Sequence, residues 1–411
     1  MASKPVIVLK FGGTSMADAE HVGKVADIVL KKRASGRRIV VVVSARARQT
    51  DSFIDEARAF TPNPSLREMD MLLSSGERIS AALLAIALNS RGCPALALSG
   101  SQAGIITDDN HTNARIIEIR PFRVHQALEE DCVPGVGGFQ GVSFKKEITT
   151  LGRGGSDVTA VALASALEAE TCEIYSDVDG VFTADPRLVE RAARLEEISY
   201  QEMQEMGEAG ARVLHPGSVE FAKTKKTVIH AKCTMEPDGA GTYIRDLEGR
   251  LKPRVVGIAH EEKIILLRVD AESGEGMQNL LMLADFFEQK GLKTKQISFH
   301  PGPNNLLCGS LVVPEKENYQ IDSALDHLGR LVDRGVHILR NLSAVSLIGS
   351  GITDRYGFLL DSLSLLSQLN AAIAGLHTSS FRITFLLERS RMREAVRSFH
   401  KHFIETDAQS I

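Results

Sequence analysis

Residues 6–43 read VIVLKFGGTSMADAEHVGKVADIVLKKRASGRRIVVVV, and the order of patterns in that stretch decides the fold class. Residues 6–9 are a short β-branched run suited to a strand. Lys10-Phe11-Gly12-Gly13-Thr14-Ser15 follows at once. Val22, Val25, Ala26 and Val29 then recur at helical spacing. Lys31, Lys32 and Arg33 crowd the last turn of that helix, and Gly36 supplies a stop. Residues 39–43 are continuously apolar but far too few to cross a bilayer. They suit a strand buried on both faces of a parallel sheet. Strand, glycine-rich turn, helix and strand make a βαβ unit.

The alternation continues outward. Residues 79–88 and 158–169 read as helices, and 95–98 and 173–175 as strands. The expected fold is an α/β sandwich on a mostly parallel sheet. Near residue 250 the pattern changes, after the loop 236–241 and at Pro253. Two copies of one βαββαβ plan are expected beyond it, with Gly276 and Gly357 each opening a helix. The expected domains are residues 1–248, 249–340 and 341–411.

Composition narrows the class. The 411 residues are 43% hydrophobic and 24% charged, the balance of a soluble globular chain of more than one domain. The formal charge of -4 gives no reason to expect nucleic acid. The basic run Lys223–Lys226 reads as a solvated face. Five scattered cysteines with no C-x-x-C pair argue against a disulfide framework or a zinc site and fit a reducing cytoplasm. Residues 1–10 hold no long apolar core, so neither a secretory signal nor a membrane association is expected.

Four motifs carry chemistry. A strand that ends in Lys10 and two glycines and opens a helix presents bare amides, a positive helix end and a cation, which suit a phosphate. An unliganded tight turn would explain Gly12 and Gly13 about as well. In Thr149-Thr150-Leu151-Gly152-Arg153-Gly154-Gly155-Ser156-Asp157, three glycines let an anion approach and Arg153 offers a planar fork. Ser156 or Asp157 would cap the next helix. In Tyr175-Ser176-Asp177-Val178-Asp179-Gly180-Val181-Phe182-Thr183-Ala184-Asp185-Pro186-Arg187, acids fall directly after a strand and a turn follows, a loop able to hold a ribose and base. Glu77, read as starting a helix, is either a first-turn acid or a grip for an ammonium.

Together these stretches resemble the aspartate kinases of the amino-acid-kinase superfamily. The resemblance runs from Val8 to about Phe221 through KFGGTS, REMDMLLSSGERIS, GSQAGIIT, HTNARI, GFQG, TTLGRGGSD, YSDVDGVFTADPR, VLHP and SVEFA. It implies a three-layer α/β/α amino-acid-kinase fold followed by two ferredoxin-like ACT modules. It also implies phosphorylation of the β-carboxylate of L-aspartate by ATP, at the entry to lysine, threonine and methionine synthesis. By the family pattern, Lys10 stabilises the transferring phosphoryl group and Asp157 orients that lysine. Glu77 and Arg153 hold the substrate's ammonium and carboxylate, with Ser44, Thr50, Gly154, Gly155 and Ser156 lining the substrate side. Lys10, Gly12, Gly13, Tyr175, Ser176, Asp177, Asp179, Gly180, Asp185, Arg187 and Arg212 fall in the nucleotide stretches. Asp270, Gly276 and Asn370 are the candidate effector positions. Mg²⁺ is expected with ATP, held mainly by its phosphates, with no protein metal cage. ACT modules pair edge to edge, so a homodimer or larger assembly is expected.

The chain departs from the pattern in places. Arg46-Ala47-Arg48 stands where the family has Met-Gly and one further residue, and Arg212 stands for a lysine. The effector turns carry Glu275-Gly276 and Tyr356-Gly357 instead of Pro-Gly, and Ala372 and Ala374 replace polar groups. A site that must satisfy a zwitterion loses affinity with its polar ligands, so weakened or altered feedback is expected. Two other readings remain open: a kinase for a related acidic amino acid, and a non-catalytic regulatory subunit.

Overall fold

The first strand, β1 (Val6–Phe11), is buried at all six positions and lies between β2 (Arg38–Val43) and β9 (Thr171–Ser176), parallel to both. Each large apolar side chain removed from water there stabilises the fold by about 1.5–3 kcal/mol. In this computed structural model the described residues are 4–211, 213–247, 253–302, 306–318, 321–331 and 336–406. The remaining strands of the first half are β3 (Ala95–Leu98), β4 (Ile105–Thr107), β5 (Ile116–Ile119), β6 (Val133–Gly137), β7 (Gln140–Ser143), β8 (Ile148–Thr150), β10 (Glu197–Ser199), β11 (Ile229–Cys233) and β12 (Thr242–Arg245). An eight-stranded sheet runs β10-β12-β11-β9-β1-β2-β6-β3, parallel except at the β11–β12 pair. A smaller sheet, β5-β4-β7-β8, stands beside it.

Alternation in β1 sorts the two faces of the large sheet. Ile7, Leu9 and Phe11 join one core with α1 (Ala19–Ala34) and the later part of α3 (Leu66–Asn89). Lys10 points to the other face, toward α5 (Gly155–Ala166). The opening βαβ unit is as expected: Asp18 caps α1 by accepting from the His21 N–H at 3.0 Å, and Lys31, Lys32 and Arg33 sit in its last turn. The intervening helices are α2 (Gln49–Phe60) and α4 (Phe122–Glu129); α6 (Tyr200–Glu208) and α7 (Pro216–Lys225) follow α5.

Helix α3 is twice the expected length. It begins at Leu66, so Glu77 lies in its middle and is no first-turn acid. By length and composition α3 could span a membrane, yet its buried face carries Asp70, Ser74, Glu77 and Ser80, which mark a core helix.

Two compact units emerge: Met1–Phe182 with Ala193–Gly207 and Arg212–Leu251, and Thr183–Ala192 with Glu208–Ala211 and Lys252–Ile411. The expected boundary at 248/249 lies outside the described residues. The second unit is built on one six-stranded antiparallel sheet, β14-β15-β13-β16-β18-β17. Its strands are β13 (Gly257–Glu272), β14 (Gln296–Pro301), β15 (Leu306–Pro314), β16 (Val336–Ile348), β17 (Ile373–Ser379) and β18 (Arg382–Glu388). Its helices are α8 (Ser273–Gln289), α9 (Ile321–Leu331), α10 (Gly357–Gln368) and α11 (Met392–His400). The first copy of the expected plan, β13-α8-β14-β15-α9-β16, is present in element order; the second, β16-α10-β17-β18-α11, has no strand after its last helix among the described residues. They share strands: Gly257–Glu261 pairs with Ala344–Ile348, and Leu266–Val269 pairs with Val336–Leu339. A division at 340/341 therefore falls inside β16. Each half of the sheet has its own core, around Phe286 and Leu325 and around Phe385 and Phe399.

Candidate active site

The site forms where β1, β2 and β6 end, at the carboxyl edge of the large sheet, the edge at which open α/β sheets bind ligands. Phe11 hands over to Gly12 and Gly13, and the 3-10 turn Thr14–Met16 follows. A Cβ on Gly13 would stand 2.7 Å from the Ala45 carbonyl oxygen, so only glycine fits where the two loops touch. The loops are tied by Ser44 N–H to Phe11 O at 3.1 Å and Ala47 N–H to Gly13 O at 3.1 Å. Ser15 and Thr234 hydroxyls meet at 2.7 Å and fix the far side of the turn.

Lys10 Nζ lies 2.6 Å from Asp157 Oδ1, both largely buried. Asp157 is in the first turn of α5 but does not cap it. The cap position is Gly154, in the left-handed region at φ 72, with no side-chain cap. A side chain there would run into the His215 ring, which folds over the loop ahead of Pro216. The Asp157 carboxylate is thereby left for the lysine. Gly138 packs against Ser156, which brings the start of α5 to the end of β6.

Glu77 reaches the same edge from α3. Its Oε1 accepts from the Ala45 N–H at 3.0 Å, and its Oε2 is buried with no partner. Only 4% of the residue is exposed, and burial raises its carboxyl to about 7. Two more polar atoms nearby are buried without partners, Arg46 Nε and Gln49 Oε1. Gln49 lies beside Gly76, next to Glu77. Unmet buried polar groups are costly. A cluster holding an acceptor, a donor and a carboxylate suits a ligand that carries both charges. The loop between β2 and α2 has no glycine, yet it still takes a left-handed residue, Arg48 at φ 63. Thr50 falls in the first turn of α2.

One organising residue escaped the sequence reading. Asp70 is fully buried and accepts from His111 Nδ1 at 2.6 Å, Thr150 Oγ1 at 2.5 Å and the Thr112 N–H at 3.1 Å. It fastens the 111–116 loop and the end of β8, which leads into the Arg153 loop, to α3. The signal was present: Asp70 and Glu77 are two helical turns apart, two acids on a stripe otherwise of apolar and small residues.

The other expected positions spread out. Arg153 is exposed, and Gly155 and Ser156 are buried in α5. The Ser176 hydroxyl accepts from the Val178 N–H at 3.2 Å and shapes the loop after β9. Asp177 is exposed, Gly180 stands at φ 88 and Asp179 pairs with Arg194 at 3.5 Å. Tyr175 contributes only its backbone oxygen, which accepts from the Gly12 N–H at 3.3 Å. Its ring stacks on Phe11 on the face away from Lys10. Asp185 pairs with Arg187 at 2.8 Å in the segment that belongs to the second unit. Arg212 lies outside the described residues. Asp270 is in β13 and Gly276 in α8, with side-chain surroundings outside the described residues, and Asn370 follows α10 in the left-handed region at φ 50. Among the described residues no group of three or more His, Cys, Asp or Glu is placed to hold a metal.

A glycine-turn lysine paired to an acid at the head of a core helix, on a mainly parallel sheet, is an arrangement suited to phosphoryl transfer. The profile of the amino acid kinase family matches residues 5–231, and the chain belongs to that family. Within it the chain groups with the aspartokinases. It is 38% identical to aspartokinase from Geobacillus stearothermophilus over 399 residues, 97% of each chain. The structure of E. coli aspartokinase III in complex with aspartate and ADP (R-state) superposes with a TM-score of 0.77 at 25% identity, covering 96% of this chain and 99% of that one. The same enzyme with lysine and aspartate (T-state) gives 0.79 at 25% identity, over 97% and 99%.

Proposed function

We propose that the protein transfers the γ-phosphoryl group of Mg-ATP to the β-carboxylate of L-aspartate, giving 4-phospho-L-aspartate and ADP. The observation that carries the reading is the buried Lys10–Asp157 pair at the glycine turn. The attacking atom is a carboxylate oxygen of the substrate, so no protein nucleophile is needed. Catalysis here rests on positioning and on screening two anions from one another. Asp157 aims the Lys10 ammonium, and Lys10 offsets charge on the phosphoryl oxygens in transit. The Gly12 and Gly13 segment lets phosphates approach the backbone. Glu77 Oε2 takes the substrate ammonium, and Arg153, free in the exposed loop, swings to its α-carboxylate. Ser176, Asp177 and Asp179 shape the nucleotide loop. Magnesium arrives with the ATP phosphates.

The product feeds lysine, threonine and methionine synthesis in the cytoplasm. Feedback is weakened, because Tyr356 and Gly357 present no enclosed turn: a Cβ on Gly357 would meet nothing within 4 Å. β14 and β17 are the two edges of the C-terminal sheet, and Ile373 and Leu376 on β17 are exposed. That supports edge pairing into a homodimer or larger assembly.

An ATP-dependent aspartyl hydroxamate assay tests the reading. Activity with aspartate that disappears in Lys10→Met is expected. No turnover of any acidic amino acid in a substrate panel would defeat it, and turnover of a different acidic amino acid would correct the substrate. Inhibition by sub-millimolar lysine or threonine would overturn the statement on feedback.

A further inference from the structure

The large sheet has a second polar cluster, on the face opposite Lys10. Register places it there. Thr171 and Glu173 of β9 pair with Ile7 and Leu9 of β1, and His230 and Lys232 of β11 pair with Glu173 and Tyr175. Tyr243 of β12 pairs with His230. All these side chains project to the side of α1. A cavity of about 230 Å³ opens between them, lined by Lys32, Glu173, His230, Lys232 and Tyr243 and bounded by the Arg37–Glu170 pair.

The charges inside do not cancel. Lys32 Nζ sits 2.6 Å from Glu173 Oε1, and Glu173 Oε2 accepts from the Tyr175 hydroxyl at 2.7 Å. Arg37 holds Glu170 through two nitrogens at 3.1 and 3.3 Å. His230 Nε2 lies 2.7 Å from the Ala240 carbonyl, which can only accept, so that nitrogen carries the proton. Burial lowers the His230 pKa and favours the neutral ring. Lys232 remains. It is 6% exposed, lines the cavity and has no hydrogen bond or ion pair among the described residues. Burial, and then the Lys32 charge, lower its pKa, while Glu173, Asp238 and Asp179 favour the charged form from a distance. None of them bonds the ammonium directly, and an incoming carboxylate is its natural complement.

Two aromatic rings stand in the lining with Lys232, and the Arg245 guanidinium lies over the Tyr243 ring, 5.7 Å from its centroid. His230 and Tyr243 stack with ring centroids 3.9 Å apart and planes within 17°. The cavity equals about eight water volumes, which suits a benzoate-sized ligand. We propose that this cavity binds a small planar carboxylate, its anionic end on Lys232 and its flat body against the His230–Tyr243 wall. The site is separate from the phosphoryl-transfer centre because the sheet lies between them.

Benzoate is the probe, and footprinting the full chain with acetic anhydride, read by mass spectrometry, is the experiment. Saturating benzoate is expected to lower acetylation of Lys232 at least threefold and to leave exposed Lys31 unchanged. Calorimetry should show one saturable benzoate site, unaffected by Mg-ATP and by Lys10→Met, and weakened at least tenfold in Lys232→Met. The footprint uses the unsubstituted protein, so it decides even where Lys232→Met fails to fold. Unchanged labelling of Lys232, or displacement of benzoate by Mg-ATP, would overturn the proposal. Inorganic phosphate protecting Lys232 as well as benzoate does would overturn the planar part of it.

Discussion

Gly13 and Gly357 each stand where the chain enters a helical turn, and their surroundings are opposite. Around Gly13 another loop's backbone has closed in, leaving 2.7 Å between a hypothetical Cβ and the Ala45 oxygen. Around Gly357 there is open space, and neighbouring Tyr356 is 80% exposed. The same residue type is obligatory at one turn and optional at the other. Crowding at Gly13 comes with buried polar atoms that lack partners, on Glu77, Arg46 and Gln49. A ligand site is legible in the first turn from its unmet needs. The second turn shows no such need.

The contrast can be broken at its crowded end. Lys10→Met should lower kcat by about 10³-fold or more, near 4 kcal/mol of transition-state stabilisation, with KM for ATP changed far less; steady-state kinetics checks this. Glu77→Gln should raise KM for aspartate about a hundredfold and yet stabilise the fold. The sign follows from the raised carboxyl, about 7 against an ordinary 4.5. The folded state holds that proton more tightly. The stability it contributes is complete below pH 4.5 and is lost as pH rises through 7. Glutamine removes the loss, so the variant should gain about 3 kcal/mol at pH 8 and nothing at pH 4. Denaturant melts at the two pH values measure it. In the parent enzyme, KM for aspartate should climb as pH falls below about 7. Gly13→Ala should cost about 2 kcal/mol in kcat/KM or in stability through overpacking. Gly357→Ala should shift stability by no more than about 0.5 kcal/mol and leave kinetics unchanged. A large loss there would erase the distinction between the turns.

How far the sequence could be read depended on whether a residue's role is local. The opening βαβ unit was legible because strand, cap and stop signals all lie within it. Lys10 and Glu77 were legible as chemistry; the Lys10–Asp157 pairing came through the family resemblance alone, and the Ala45 N–H that holds Glu77 was not legible. Asp157 stands just before the helix expected at 158–169 and so reads as a possible cap, but α5 starts at Gly155 and places the Asp157 carboxylate inside the first turn, where it meets Lys10. The start of α3 was hidden because Asp70 interrupts its apolar stripe, and its bonds come from residues more than forty positions away. In the C-terminal half two separate modules were expected, and the charged run Glu261-Glu262-Lys263 gives no sign of a continuous strand. It is a register irregularity in the middle of β13, so one strand looked like the start of a single module when it serves two.

That shared strand has a mechanical consequence. β13 and β16 thread both halves of the six-stranded sheet, so the two halves are one hydrogen-bonded plate. A molecule that pushes on either half cannot swing it independently without tearing rungs from the ladder. The ladder's register breaks between Glu261 and Leu266, where flexing costs fewest rungs, and elsewhere the plate must tilt as a whole.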